Sequence, residues 1–215
     1  MELLFCPECI DSQKVLLGLY EKLAQFRARQ LDSQDPIDMA QVAQINPFGE
    51  LPILRTDDEQ TLVHSTIIIE FLDEEFQQGT QLIPHDPRLA REVRLLDRQI
   101  HEQLHLPLLS LQNEQRKPLP RQDRDLIRNS QSKIETALEQ LELRLETNHW
   151  VVGDAFSLAD CTLIPTLSLA SSVYPFSTRH QLNRYWQQVK FRGSYQLLQQ
   201  QLKDMKGFKN PFIAQ

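Results

Sequence analysis

Cys9 and Ser12 stand three residues apart, where a short apolar run gives way to a helical pattern. A cysteine just before a helix faces the unpaired N–H groups of the first turn and the positive end of the helix dipole. That environment favours thiolate and lowers a cysteine pKa from about 8.5 to roughly 3.5–7.5. Ser12 is placed to donate a hydrogen bond to the same sulfur, so the two residues read as a nucleophile and its donor. They also read more plainly, with Cys9 a small tolerated residue and Ser12 an N-cap. Asp11 works against a thiolate if it points the same way. Cys6-Pro7-Glu8-Cys9 is also a C-x-x-C, a spacing common to dithiol redox pairs and metal sites. Cys6, however, falls at the strand end rather than the helix start, and a single C-x-x-C is half of a structural zinc site.

Further along the chain, Leu51-Pro52 places a proline at the opening of a strand after the turn Asn46-Pro47-Phe48-Gly49. Such a proline is a candidate for a cis peptide, which turns the Leu51 N–H and C=O outward toward a peptide-like ligand; an ordinary edge-strand proline has the same pattern. His64-Ser65 precedes a helix expected from Thr66. A helix N-terminus binds carboxylates through its free N–H groups, and the Ser65 hydroxyl adds a donor there or serves as a simple cap. Ser157-Leu158-Ala159-Asp160 reads as a capping box with Phe156 stapled to the first turn, which makes Asp160 structural rather than catalytic. His101 and His105 share a helix face, but without a third ligand no metal site is expected.

The elements that must carry these residues alternate. Glu2 to Phe5 reads as a strand, Ser12 to Leu23 as a helix with Val15, Leu16, Leu19 and Leu23 on one face, and Arg27 to Leu31 as a second strand. Asp35-Pro36 opens a short helix, Leu51 to Leu54 and Gln60 to Val63 form a hairpin, and Thr66 to Phe76 is helical. Past a linker with Gly79, Pro84 and Pro87, only helices are expected: Arg88 to Leu111, Ile127 to Glu146, Ser157 to Ala170 and Gln181 to Gln201. The fold class is α/β plus all-α, with a small domain over 1–77, a linker over 78–86 and an all-helical domain over 87–215.

The chain has 215 residues, 40% of them hydrophobic and 24% charged, so a sizeable core is available and disorder is not expected. A net charge of −6 argues against a direct nucleic-acid surface, which needs a basic excess. No apolar stretch is long enough for a membrane span. Met1 leads directly into a strand-like run with no basic or apolar leader, so no secretory signal is expected. Three cysteines are not a disulfide framework, and a reducing cytoplasm is the expected location.

In their order and spacing these segments resemble the cytosolic glutathione transferase superfamily over nearly the whole chain. Asn46 to Leu54 looks like its cis-proline segment, His64-Ser65 with Ile68 and Glu70-Phe71-Leu72 like its ligand-binding helix, and Val152-Gly153-Asp154 through Asp160 like its capping region. Ser12-Gln13-Lys14-Val15-Leu16-Leu17 is similar to the first helix of omega-type enzymes and dehydroascorbate reductases, after their C-P-F-S or C-P-F-A motif. The resemblance implies a thioredoxin-like N-terminal domain and a helical C-terminal domain, with glutathione as cosubstrate and no metal. It implies Cys9 as nucleophile, Ser12 at the fourth motif position and Leu51 and Pro52 on the cysteinyl backbone of glutathione. His64 and Ser65 then fall on its γ-glutamyl end. An electrophile or disulfide as second substrate and a cytoplasmic homodimer follow from the same likeness. Two positions depart from the pattern: Ile10 replaces the proline after the nucleophile, and His64 replaces the acidic residue before the ligand serine. The spacing Pro7-x-x-Ile10-x-Ser12-x-x-Val15, Ile67 to Glu74 and Phe156 to Cys161 are also similar to stringent starvation protein A. That transferase-fold partner of bacterial RNA polymerase uses a proline-histidine-proline patch, of which Pro84-His85-Asp86-Pro87 is reminiscent.

Overall fold

In the computed structural model, which describes residues 1–206, the N-terminal strand β1 (Glu2–Phe5) lies at the centre of a four-stranded sheet. Helix α1 (Ile10–Glu21) carries the chain over to β2 (Arg27–Gln30), which pairs parallel to β1, as a strand–helix–strand crossover requires. After α2 (Pro36–Ile45) the hairpin of β3 (Ile53–Arg55) and β4 (Thr61–Val63) adds to the other side, giving the order β2-β1-β3-β4 with the last two antiparallel. Helix α3 (Ser65–Glu75) follows and packs on α1. Leu4 and Ile53 are paired across the ladder and share one face with Leu31 and Val42 of the α2 side. Leu3 and Leu54, one position along, point to the other face and are fully buried. The edge strand β2 exposes Arg27 and Arg29, charges that discourage pairing with another chain.

The chain divides into two compact units, Gln81–Val189 and a discontinuous one made of Met1–Thr80 with Lys190–Gln215, of which 207–215 lie outside the described residues. This differs from the expected domains 1–77 and 87–215 in its final helix. The segment expected as one helix over Gln181 to Gln201 breaks at Phe191–Arg192, giving α8 (His180–Lys190) and α9 (Gly193–Lys206). Helix α9 packs on α1. Glu21, at the end of α1 and only 5% exposed, is the reason. Its carboxylate accepts two bonds from Arg192, at 2.6 and 2.7 Å, and further bonds from the Ser194 and Thr80 hydroxyls. Burial alone would raise its pKa, but the bonds from Arg192, Ser194 and Thr80 prevail and hold it below the usual carboxylate range. Gly79 makes the close approach possible. It sits at φ +76°, and a Cβ there would fall 2.1 Å from the Glu21 carbonyl oxygen.

The second unit is helical. The helix expected over Arg88 to Leu111 is instead α4 (Pro87–Ile100), one π turn (His101–His105) and α5 (Leu106–Gln115). Pro107 lacks an N–H, and a π turn immediately before it absorbs the missing bond. His101 and His105 meet edge to face, their ring centroids 4.9 Å apart. A 3₁₀ turn (Leu119–Arg121) leads to α6 (Arg124–Leu145), whose buried stripe is Ile134, Leu138, Leu141 and Leu145. Helix α7 (Leu158–Val173) is the core, buried continuously from Leu158 to Leu167. Its Asp160 accepts from the Val151 and Ser157 N–H groups and from the Ser157 and Tyr185 hydroxyls, at 2.9 to 3.1 Å. Trp150 rests edge-on between Phe156 and Tyr185.

Candidate functional site

The first unit gathers most of the residues singled out above at the C-terminal end of β1. Cys9 is the N-cap of α1, in extended backbone, and its N–H closes a turn onto the Cys6 carbonyl at 3.1 Å. Gln13 ties the same turn by donating to the Pro7 carbonyl at 2.7 Å. Ser12 is fully buried, accepts from the Cys6 N–H at 3.2 Å and turns both its N–H and its hydroxyl to the Cys9 sulfur. It is therefore not a cap. Cys6 is buried and its thiol donates to Glu8 at 3.3 Å, so the two cysteines are not joined and each has a separate partner.

The Leu51–Pro52 peptide is cis. The loop before it is closed by Asn46, whose side chain accepts from the Phe48 N–H and donates to the Glu50 carbonyl. This brings the Leu51 carbonyl 3.8 Å from Cys9 Sγ, within reach of a thiol hydrogen bond. Cys9 and Leu51 are thus adjacent although 42 residues apart in sequence.

The electrostatics of Cys9 overturn one expectation. Burial pushes the thiol pKa up and the Asp11 carboxylate adds to the rise; Ser12 pulls the other way and does not prevail. The helix start alone favours thiolate, but a half-buried sulfur loses more hydration than the dipole and Ser12 return.

At the start of α3 the expected cap is displaced by one residue. His64 is the N-cap, at φ +67°, and makes no side-chain capping bond; Ser65 is the first helical residue. The Ser65 hydroxyl donates to Asp11 Oδ1 at 2.8 Å. His64 is exposed and its Nδ1 lies 3.6 Å from Glu50 Oε2, so a carboxylate stands beside it although the residue itself supplies none. Asp11 and Glu50 are the participants that spacing did not bring to the fore. For Asp11 the available clue was its place two residues after Cys9 on the same turn.

Elsewhere the capping-box region is built as expected around a buried Asp160. Pro84 to Pro87 has a local explanation: Asp86 caps α4 by accepting from Arg88 and Leu89 N–H, and Pro87 is the first helical residue.

Two family models match the sequence. Glutathione S-transferase, N-terminal domain, takes in residues 8–75, and glutathione S-transferase, C-terminal domain, takes in residues 124–204. The chain belongs to the glutathione S-transferase superfamily. Among relatives, glutathione S-transferase F14 of Arabidopsis thaliana is 30% identical over 121 residues, 54% of this chain and 47% of that protein. Glutathione S-transferase F10 of the same plant is 25% identical over 206 residues, covering 89% of this chain and 93% of its own. A glutathione S-transferase structure from Methylobacillus flagellatus KT with GSH bound superposes with a TM-score of 0.83 at 26% identity, over 92% of this chain and 98% of that one. This transferase fold, with a mixed four-stranded sheet followed by helices, is the one expected from the sequence. Among the described residues no helix is long and apolar enough to cross a membrane.

Proposed function

We propose that this glutathione S-transferase-like protein binds glutathione in its first unit and exchanges thiols with a disulfide substrate through Cys9. One distance carries this: Cys9 Sγ lies 3.8 Å from the Leu51 carbonyl. If the cysteinyl backbone of glutathione pairs with Leu51 beside the cis Pro52, its sulfur arrives next to the Cys9 sulfur. Ser65 and the N-terminus of α3 offer donors for the γ-glutamyl carboxylate. Glu50, beside His64, supplies a carboxylate for the α-ammonium group. The GSH-bound relative supports glutathione as the ligand.

In the exchange, the Cys9 thiolate attacks the glutathionyl sulfur of a mixed disulfide. The S–S bond breaks, the substrate leaves as a thiolate and takes up a proton, and Cys9 is left bonded to the glutathionyl sulfur. A second glutathione thiolate attacks that sulfur, glutathione disulfide departs, and Cys9 is regenerated. Ser12, with its hydroxyl directed at the sulfur, stabilises the thiolate in both steps. The Ser12 hydroxyl is enclosed and already bonded to the Cys6 N–H, which favours Cys9 over a direct role for Ser12 on a bound glutathione.

Replacing Cys9 with Ser tests this. Transfer from a glutathionylated peptide to glutathione falls to background if Cys9 is the nucleophile; unchanged turnover removes Cys9 from the mechanism. A cytoplasmic homodimer belongs to the same proposal, supported by the family, and a monomeric mass in light scattering at micromolar concentration refutes the dimer.

A further inference from the structure

The first turn of α1 already uses both groups that would anchor glutathione. The Cys9 thiol reaches the Leu51 carbonyl, and the Asp11 carboxylate takes the Ser65 hydroxyl at 2.8 Å. Asp11 is in the first turn of α1, and its contact with Ser65 also places it at the first residue of α3. A negative charge is favoured at each of these helix starts. Helix α3 has no side-chain cap of its own, because His64 makes no capping bond.

We propose that Asp11 sets the ligand affinity of this site by occupying, in place of a ligand, the carboxylate position beside Ser65. A ligand carboxylate arriving at Ser65 must displace a charge-assisted hydrogen bond, about twice as strong as a neutral one. Otherwise it must settle beside a like charge, which opposes binding. Empty and occupied states therefore differ in what Ser65 holds: Asp11 in one, the ligand in the other. The ligand chemistry is a carboxylate next to a hydroxyl donor at a helix start, and its identification as the γ-glutamyl end of glutathione rests on the function proposed above.

Calorimetric titration of the full chain with reduced glutathione and, separately, with glutarate tests the assignment. Glutarate carries the carboxylates without the thiol or the peptide backbone. Asp11→Asn keeps the shape and removes the charge, so it binds both compounds at least about tenfold tighter than the unaltered protein. Adding Ser65→Ala abolishes that gain. Equal or weaker affinity of Asp11→Asn for both compounds overturns the proposal, and a lowered thermal midpoint without a gain in affinity marks Asp11 as a helix cap alone. If Asp11→Asn does not fold, Asp11→Ser carries the same comparison. The glutathione site is judged separately. Saturable glutathione binding by the unaltered protein with no gain in the variant sinks the role of Asp11 and leaves the site. A gain for glutarate with no glutathione binding by either protein sinks the glutathione site and leaves the role of Asp11. No binding of either compound sinks both.

Discussion

At Cys9 two features of one helix start oppose each other. The dipole and Ser12 favour the thiolate, while burial and Asp11 favour the thiol, and the second pair prevails. An acid whose pKa lies above the ordinary thiol range of about 8.5 is mostly protonated at neutral pH. Its thiolate fraction then grows about tenfold for each pH unit until the pKa is approached. Alkylation of Cys9 by iodoacetamide, followed by mass spectrometry, is therefore expected to accelerate continuously between pH 6.5 and about 8.5; a rate that levels off below pH 7 would contradict the raised pKa. Thiol transfer through Cys9 is expected to follow the same profile. Cys9, Ser12, Leu51, Pro52, His64 and Ser65 are each legible in the sequence, because each sits at a turn or helix start that residue types announce locally. The bonds Ser65–Asp11 and Cys9–Leu51 are not, since they join residues 54 and 42 positions apart. The sign of the Cys9 shift depends on burial, which those distant contacts create.

Among the elements, α9 departs most from its expected place, and Glu21 explains why. A carboxylate at the buried end of α1 needs donors, and Arg192 and Ser194 bring them from the start of α9. Glu21→Gln leaves the Arg192 guanidinium with a neutral partner. Removing one charge of a fully buried pair costs about 3–5 kcal/mol; the Arg192 side chain keeps 24% exposure, so about 3 kcal/mol is expected here. Urea unfolding measures this, and a loss below about 0.5 kcal/mol, typical of a surface substitution, would mean the pair does not hold α9. The alternation of strand and helix up to residue 75, and the apolar stripe of α6, are legible in the sequence because hydrophobic periodicity reports them directly. The π turn before Pro107 and the break before Gly193 are not, since periodicity continues across both and a single missing N–H or a distant acid decides the geometry.

At the scale of the whole molecule, two of its buried carboxylates, Asp160 and Glu21, respond to pH in opposite senses. Burial pushes Asp160 up to about 6 against four hydrogen bonds. Between the unfolded carboxyl pKa of about 3.9 and that value the folded state binds more protons, so stability contributed by Asp160 falls as pH rises through this window, by about 3 kcal/mol in total. Glu21 is held low, so its contribution is present above its unfolded pKa of about 4.3 and is lost as pH falls through its folded value. Asp160→Asn shifts the thermal midpoint by a fixed amount through its mismatched amide, but it abolishes the pH-dependent part. The difference between unaltered protein and Asp160→Asn is expected to change between pH 4 and about 6.5 and to be flat above; a difference independent of pH across that window would refute a raised Asp160.

The bidentate pair between Glu21 and Arg192 spans 171 positions of sequence. During synthesis the guanidinium that satisfies Glu21 is made on the order of ten to thirty seconds after Glu21 itself. Through that interval the first unit either keeps the end of α1 open to water or buries an acid without its partner. The sheet and helix that bear the thiol are therefore complete as a buried unit only once residues made long after them, Arg192 and Ser194, are in place.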